Sequence, residues 1–255
     1  MKIKFLCFAI LMNALSLFAD DVLTKLNSNN DHGFWFEQNA DLKLPSDFSL
    51  RLHGEQRWGS DYRKLWYQEY EFVLTYDVTK YFPKCPKGLF SLVKLGPGFN
   101  ETYVLSKNTR GIYHHVWINK PLIEAHWNSE WKEWKIKQRF RGEYHQYRKE
   151  HYHNHGIYRQ RLAIYTPWKF TCWKINPYIQ DEIFLRANTY SKNHHPTGLV
   201  GVLYENRFRV GLSIDPWEHF NTTIFWQLRT TKQKPDVHPH WFKIYEIGLL
   251  LNLTY

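Results

Sequence analysis

Apolar side chains recur at every second position in about eleven stretches of this chain, and this alternation constrains the fold more than any other feature. The last stretch is EIGLLLNLTY, in which Leu249, Leu251, Leu253 and Tyr255 share one face of an extended strand. An amphipathic helix would place apolar residues at i, i+3, i+4 and i+7, and no long segment does so. The pattern therefore predicts an all-β protein with a single domain.

Charged residues fill the alternate positions in many of these stretches. Phe140 and Tyr144, for example, alternate with Arg139, Arg141 and Glu143. Aromatic residues make up 18% of the chain and charged residues 23%, yet the mean hydropathy is -0.57. A membrane β-barrel combines these properties, because every second residue faces lipid, the others face a polar interior, and aromatic residues ring both interfaces. The sequence therefore predicts an antiparallel transmembrane β-barrel.

The first residues predict export from the cytoplasm. A basic start, Met1-Lys2-Ile3-Lys4, precedes a short apolar stretch from Phe5 to Phe18, and Ala19 is a small residue at the expected cleavage point. We expect a cleaved signal peptide over residues 1–19, an N-terminal segment over 20–33 and the barrel over 34–255. Together with the strand pattern, this predicts a bacterial outer-membrane location.

Connector lengths alternate between short and long along the chain. Pro45–Asp47 and Lys132–Glu133 are tight, whereas Arg186–Thr197 and Thr231–His240 are long and polar. Outer-membrane barrels have short periplasmic turns, long external loops and, in bacteria, an even number of strands. We therefore expect about twelve strands, the additional one lying before the first stretch or within Leu89–Trp131, with ten as the alternative.

The terminal stretch resembles the signal by which bacterial outer-membrane proteins are recognised for insertion. That signal is a final strand that ends in an aromatic residue and has apolar residues at alternate positions before it. Leu249, Leu251, Leu253 and Tyr255 fit this pattern. The expected partners are the barrel-assembly machinery, outer-membrane lipid and lipopolysaccharide.

Several longer stretches resemble a bacterial family of outer-membrane barrels of unknown function. They include GFWFEQNADLKLPSDFSLRLHGEQR, KIKQRFRGEYHQYR and LYENRFRVGLSID. Trp35 leads the first strand and Glu55 with Arg57 ends the second, while Arg-rich strands and a Pro177-Tyr178…Glu182-Ile183-Phe184 strand follow. The chain departs from the pattern at Gly98-Phe99-Asn100, where Gly-Tyr-Arg is expected. The resemblance covers roughly residues 33–255 and implies an outer-membrane barrel without implying an activity.

Charged residues of both signs are predicted to face the interior of the barrel, which we call the lumen. They are Arg51, Glu55, Arg57, Glu69, Glu71, Arg139, Arg141, Glu143, Arg159, Arg161, Glu182, Glu205, Arg207, Arg209 and Arg229. One interpretation is a selectivity lining for anionic solutes. The other is a network of ion pairs that fills a narrow lumen, and the mixture of signs favours it because unpaired buried charge is costly. We expect a structural barrel or a narrow pore with no cofactor.

Three other functions have less support in the sequence. An outer-membrane lipid-modifying enzyme would use a nucleophile with His53, His126 or His145, but no sequence context marks a nucleophile. A soluble periplasmic lipid-binding barrel would need apolar residues inside and charges outside. A nucleic-acid partner is not expected, because the arginines alternate into strands and do not form an exposed patch.

The stretch HYHNH places His151, His153 and His155 at i, i+2 and i+4. Neutral imidazole suits Zn²⁺, Cu²⁺ and Ni²⁺, so these side chains form a speculative metal site at the external rim. The alternative is three ordinary solvated loop residues. The spacing lacks the specificity of a Cys/His zinc motif, which favours that alternative.

Overall fold

The structure, a computed structural model, describes residues 31–59, 64–82, 91–107, 113–148, 154–186, 202–232 and 241–255. Eleven strands in these residues close into one barrel, which confirms the all-β fold. The strands are β1 (Asp31–Lys43), β2 (Phe48–Gly59), β3 (Lys64–Asp77), β4 (Leu92–Lys107), β5 (Tyr113–Trp131), β6 (Trp134–Tyr147), β7 (His155–Tyr165), β8 (Asn176–Arg186), β9 (Val202–Trp217), β10 (Phe220–Lys232) and β11 (Trp241–Thr254).

Each strand pairs in antiparallel fashion with the next one along the chain, and β1 pairs with β11 in parallel to close the barrel. This parallel seam runs from Asp31, opposite Ile244, to Asp41, opposite Thr254. Tyr255 extends it, since its amide donates to the Asp41 carbonyl at 2.9 Å and its carbonyl accepts from the Lys43 amide at 2.6 Å. The terminal residue is thus part of the closure.

The described strand count of eleven lies between the expected twelve and the alternative of ten. The region Leu89–Trp131, where an additional crossing was one expectation, instead holds two long strands of 16 and 19 residues. An odd count makes the first and last strands parallel, whereas bacterial single-chain barrels have even counts. The predicted signal peptide lies outside the described residues.

Tight connections lie at one end of the barrel, which we call the turn end, and the opposite end is the loop end. Lys132 and Glu133 both have positive φ, 45° and 70°, as the two-residue type I′ hairpin loop requires. A 3-10 helix, Thr79–Tyr81, lies in the connection between β3 and β4 at the same end. Among the described residues, no helix is long and apolar enough to cross a membrane.

The outer surface of the barrel is apolar around its circumference. Strand alternation places Leu50, Phe140 and Ile164 on this surface, together with Phe72 and Trp226, which are exposed. Other exposed side chains on the same surface include Ile123, Ile179, Leu212, Ile224 and Ile247. A soluble monomer rarely exposes such an extensive apolar area.

Each of two β-bulges places one aromatic residue in the lumen, although simple alternation predicts that this residue lies on the outer surface. Pairing shifts between Arg57 and Trp58, so Trp66 points inward beside Tyr67. The same irregularity after Phe184 turns Tyr204 inward. In the sequence, Trp66 alternates with Phe72 and Tyr204 with Phe208, which predicts that both lie on the apolar outer face. That prediction is wrong, because a bulge inserts one residue and resets the alternation.

An aromatic cluster fills part of the lumen. Trp35, Tyr178 and Phe225 are buried against each other, although they come from β1, β8 and β10. Gly248 makes room for this cluster, since a Cβ atom there would lie 2.0 Å from the Phe225 ring. The lumen is therefore packed with side chains at this level.

Candidate functional site

Each of the fifteen charged residues predicted to face the lumen forms at least one ion pair. Arg51, Arg139 and Arg161 are partly buried, and the other twelve are buried. Four further members were absent from the predicted set: Glu37, Lys120, Glu124 and Glu246. The candidate site is this set of ion-paired clusters, the largest of which joins Arg141 to Glu182 through Glu143 and Arg159.

Arg141 is the most connected cation of the network. Its guanidinium makes a bidentate pair with Glu71, at 2.6 and 2.7 Å, and also binds Glu124 at 2.7 Å. Glu143 contacts it at 3.3 Å. The Arg141 side chain is only 1% exposed, so these carboxylates replace its hydration. Arg51 reinforces the cluster by binding Glu124 at 2.5 Å.

Glu182 is the matching anionic centre. Four arginines surround its carboxylate, with distances of 2.8 Å to Arg139, 3.2 Å to Arg159, 3.4 Å to Arg161 and 3.8 Å to Arg207. Directly opposite like charges on neighbouring strands repel, and Arg139 lies directly opposite Arg161. The Glu182 carboxylate offsets that repulsion.

Three ion pairs reach through the lumen between strands that are separated by two others. Arg141 on β6 reaches Glu71 on β3, Arg51 on β2 reaches Glu124 on β5, and Arg209 on β9 reaches Glu37 on β1. We call these six residues the central charged layer. Because each pair spans two intervening strands, its side chains extend into the lumen and narrow it.

A cavity lies on each side of the central charged layer. The one at the turn end has a volume of about 340 Å³ and is lined by residues that include Asp41, His53 and Lys137. The one at the loop end has a volume of about 200 Å³, and its lining includes Tyr67 and Arg186. The lumen therefore consists of two polar vestibules separated by bridging side chains.

Aromatic rings complement the arginine charges within the lumen. The Arg57 guanidinium carbon lies 3.8 Å from the Trp35 ring centroid and 4.1 Å from that of Tyr67. Arg209 lies 3.8 Å from the Phe225 ring centroid. Stacked guanidinium groups interact favourably with the quadrupole of an aromatic ring. The rings also fill space between the ion pairs.

The two signs of charge are distributed unevenly around the lumen. Glu37, Glu55 and Glu69 occupy aligned positions on β1, β2 and β3. On β6 and β7, across the barrel, Arg139 lies opposite Arg161, and Arg141 opposite Arg159. Each row is compensated by charges of the opposite sign, since Arg57 binds Glu55, and Glu143 binds Arg141 and Arg159.

The histidines of the enzymatic alternative point into the lumen. The ring of His126 hydrogen-bonds Glu124 at 2.5 Å, that of His145 hydrogen-bonds Glu143 at 2.9 Å, and that of His53 hydrogen-bonds the Asn39 amide oxygen. These partners make the three rings part of the polar network. The described contacts thus place no histidine in a serine dyad.

The speculative rim metal site is partly outside the described residues. His151 and His153 lie there, while His155 begins β7 with a buried side chain, 5.1 Å from the His145 ring centroid. His155 therefore lines the loop-end vestibule and is not a solvated loop residue. Metal binding by these three histidines remains a prediction.

The expected insertion residues lie on the outer surface of the last strand. Leu249, Leu251 and Leu253 are partly buried there, and Tyr255 is 42% exposed with its ring stacked on His219 at 5.8 Å. Leu250, between two of these leucines, instead packs against the aromatic cluster inside. The terminal strand thus separates outward and inward residues along its length.

The fold and the network together define a closed β-barrel with an apolar exterior and a charged, largely filled interior. Within this class, the chain belongs to the family described as "Protein of unknown function (DUF2490)", which matches residues 32–238. No curated protein matches the chain. The match agrees with the expected membership of a family of unknown function and assigns no activity, and the outer-membrane location implied by the resemblance remains a prediction.

Proposed function

We propose that this protein is an integral β-barrel of the bacterial outer membrane, with a narrow lumen that its own charged side chains restrict. The observation that carries the proposal is the polarity of the barrel, which is apolar outside and charged inside. A membrane-spanning barrel has this arrangement because its outer face meets hydrocarbon while its interior meets water or polar side chains.

Strand length supports the same proposal. The shortest strands, β7 and β8, each have 11 residues, and the longest, β5, has 19. A tilted strand of about 9–11 residues crosses the hydrocarbon core of a bilayer. Every strand is therefore long enough to span it.

The network favours a narrow conduit with a weak preference for anions. Its cations are nine arginines and Lys120, and its anions are nine glutamates. The near balance of charge argues against strong selectivity, and the three cross-lumen pairs argue against a wide pore. Transported solutes would therefore be small.

The soluble lipid-binding alternative requires the opposite polarity. An apolar ligand needs an apolar cavity, whereas ion pairs fill this lumen, and the outer surface exposes large apolar side chains such as Phe72 and Ile123. In the part of the chain that the structure describes, the rings of His53, His126 and His145 bind Asn39, Glu124 and Glu143, and the proposal does not include catalysis.

Membrane insertion of the processed protein tests the proposal. Residues 20–255 are refolded with phospholipid vesicles, extracted with alkaline carbonate and analysed by electrophoresis with and without heating. The expected result is a carbonate-resistant, heat-modifiable band. A folded monomer that remains in solution without detergent or lipid would overturn the proposal.

A further inference from the structure

Three glutamates occupy directly opposite positions on the first three strands, inside the lumen. Glu37 lies opposite Glu55, and Glu55 lies opposite Glu69. Like charges in this arrangement destabilise a sheet unless cations compensate them. Arg209 binds Glu37 at 2.8 Å, Arg57 binds Glu55, and Lys120 binds Glu69 at 2.9 Å.

In two of these carboxylates, those of Glu55 and Glu69, the compensating cation contacts only one of the two oxygens. Arg57 contacts Oε1 of Glu55, and Lys120 contacts Oε2 of Glu69. The other oxygens, Glu55 Oε2 and Glu69 Oε1, turn towards His53 Nε2, at 3.6 and 4.0 Å respectively. The three atoms lie within 4.8 Å of one another.

A relay of asparagines orients the His53 ring. Asn252 donates to Asn221 at 2.9 Å, Asn39 donates to Asn252 at 2.8 Å, and the Asn39 amide oxygen lies 2.7 Å from His53 Nδ1. Because Asn39 uses its amide nitrogen for Asn252, its oxygen accepts the proton of His53 Nδ1. This fixes the tautomer in which Nε2 presents a lone pair, as in many metal-bound histidines.

The spacing of the three atoms fits a shared cation better than direct hydrogen bonds. Hydrogen bonds between nitrogen and oxygen have lengths of about 2.7–3.2 Å, shorter than either distance from His53 Nε2. Around a tetrahedral Zn²⁺ with bonds of about 2.0–2.2 Å, neighbouring ligand atoms are roughly 3.4 Å apart. Small side-chain rotations reach that separation.

We propose that His53, Glu55 and Glu69 form a binding site for a divalent transition-metal cation, for which Zn²⁺ is the best match. One imidazole nitrogen and two carboxylate oxygens suit Zn²⁺, whereas Ca²⁺ and Mg²⁺ take oxygen ligands. His53 lines the turn-end vestibule, which provides access to the site. The proposal concerns the lumen alone and holds wherever the barrel resides.

Bound metal would stabilise the pairing of two neighbouring strands of the barrel wall. It would link β2, which carries His53 and Glu55, to β3, which carries Glu69, and would neutralise part of the glutamate row. A ligand that binds the folded state and not the unfolded chain stabilises the fold by mass action. Zn²⁺ is therefore expected to raise the unfolding temperature.

Calorimetric titration of the detergent-folded, chelator-treated protein with Zn²⁺ tests the proposal, together with Co²⁺ titration followed by visible absorbance. The test variants are His53→Ala and Glu55→Gln. The matched control is His126→Ala, because His126 Nε2 is already engaged by Glu124 at 2.5 Å and Arg51 at 3.1 Å.

The expected result is a saturable site of micromolar or lower Kd in the parent, weakened by at least about tenfold in both test variants and retained in the control. Asn39→Ala is also expected to weaken binding by about tenfold, through loss of ring orientation. If His53→Ala does not fold, Glu55→Gln and Asn39→Ala decide the result. The proposal is overturned by parent affinity weaker than millimolar, or by equal affinity in the parent and the variants that fold.

Discussion

Arg141 is the most connected cation among the described residues, because one guanidinium pairs with carboxylates on three strands, β3, β5 and its own β6. It binds Glu71, Glu124 and Glu143. Replacing both members of a buried ion pair with apolar groups is often tolerated, whereas removing one member leaves uncompensated charge. The stability of the network therefore depends on completeness more than on the number of pairs.

Arg141→Ala should lower the free energy of unfolding by about 3–5 kcal/mol, since Glu71 would lose its bidentate partner and Arg51 alone would remain paired with Glu71 and Glu124. The matched control is Arg148→Ala. Arg148 forms an ion pair with Glu101 at 2.5 Å, but its side chain is 54% exposed, and the loss should be below about 1 kcal/mol. Urea unfolding of both variants in detergent measures the difference, and equal losses would mean that the network is not desolvated.

Gly248→Ala should destabilise the barrel, because the added Cβ would collide with the Phe225 ring in the aromatic cluster. Overpacking of this kind costs about 1–3 kcal/mol. Gly142→Ala is the control, since the nearest atom to its added Cβ is 3.7 Å away on Ile123. Thermal unfolding should show a lower midpoint temperature for Gly248→Ala and an unchanged midpoint temperature for Gly142→Ala. A similar midpoint in both would indicate that Phe225 moves freely.

At the scale of the strands, neighbouring residues of β6 lie on opposite sides of the barrel wall, one on the outer face and the next on the charged inner face. Phe140 lies on the outer face and Arg139 on the inner one, where it pairs with Glu182. Phe140→Arg should impair membrane assembly severely, because an arginine facing lipid at mid-membrane costs about 2–4 kcal/mol. Arg139→Gln should be mild, since Glu182 keeps three other arginines. The comparison of membrane-integrated yields tests this orientation, which equal yields would contradict.

Deletion of Tyr255 should reduce assembly, because it removes two backbone hydrogen bonds from the parallel seam as well as the terminal aromatic ring. These bonds join Tyr255 to Asp41 and Lys43. Fractionation of cells that express the deletion should find the chain in the periplasm. A Tyr255→Phe variant serves as the control and should insert normally, whereas normal insertion of the deletion would remove the role assigned to the terminus.

Much of the barrel follows from alternation, and the exceptions have local physical causes. The inner face of β5 carries Ile118, Lys120, Leu122 and Glu124, so apolar and charged residues share one face and blur the pattern. This mixture explains why Glu124 was absent from the predicted set, although its alternation with Ile123 and Ala125 is visible in the sequence. Bulge positions such as Trp66 depend on pairing with a distant strand, which the local sequence does not specify.

The parallel seam was also beyond prediction from local pattern. Each strand is recognisable alone, but the parity of their number depends on whether one further segment crosses the barrel. The region in which an additional crossing was expected contains only the two long strands β4 and β5 among its described residues. Cross-lumen pairs such as Arg209 with Glu37 follow from the closure, since these residues are 172 positions apart in the chain.

At the scale of the whole molecule, charged side chains of the barrel's own strands fill much of its interior. The central charged layer separates the two vestibules, and glutamates and arginines concentrate on opposite sides of the lumen. Such an interior stabilises the closed wall and leaves little room for solutes. Ion flow therefore depends on whether side chains in the layer move apart.

Single-channel conductance of the purified protein in a planar lipid bilayer tests the membrane-spanning, restricted lumen most directly. The expected result is insertion with no steps, or with small steps that carry a weak anion preference, because Arg141, Arg51 and Arg209 bridge the lumen. Large, weakly selective steps of the size produced by a general porin would contradict a lumen filled by ion pairs.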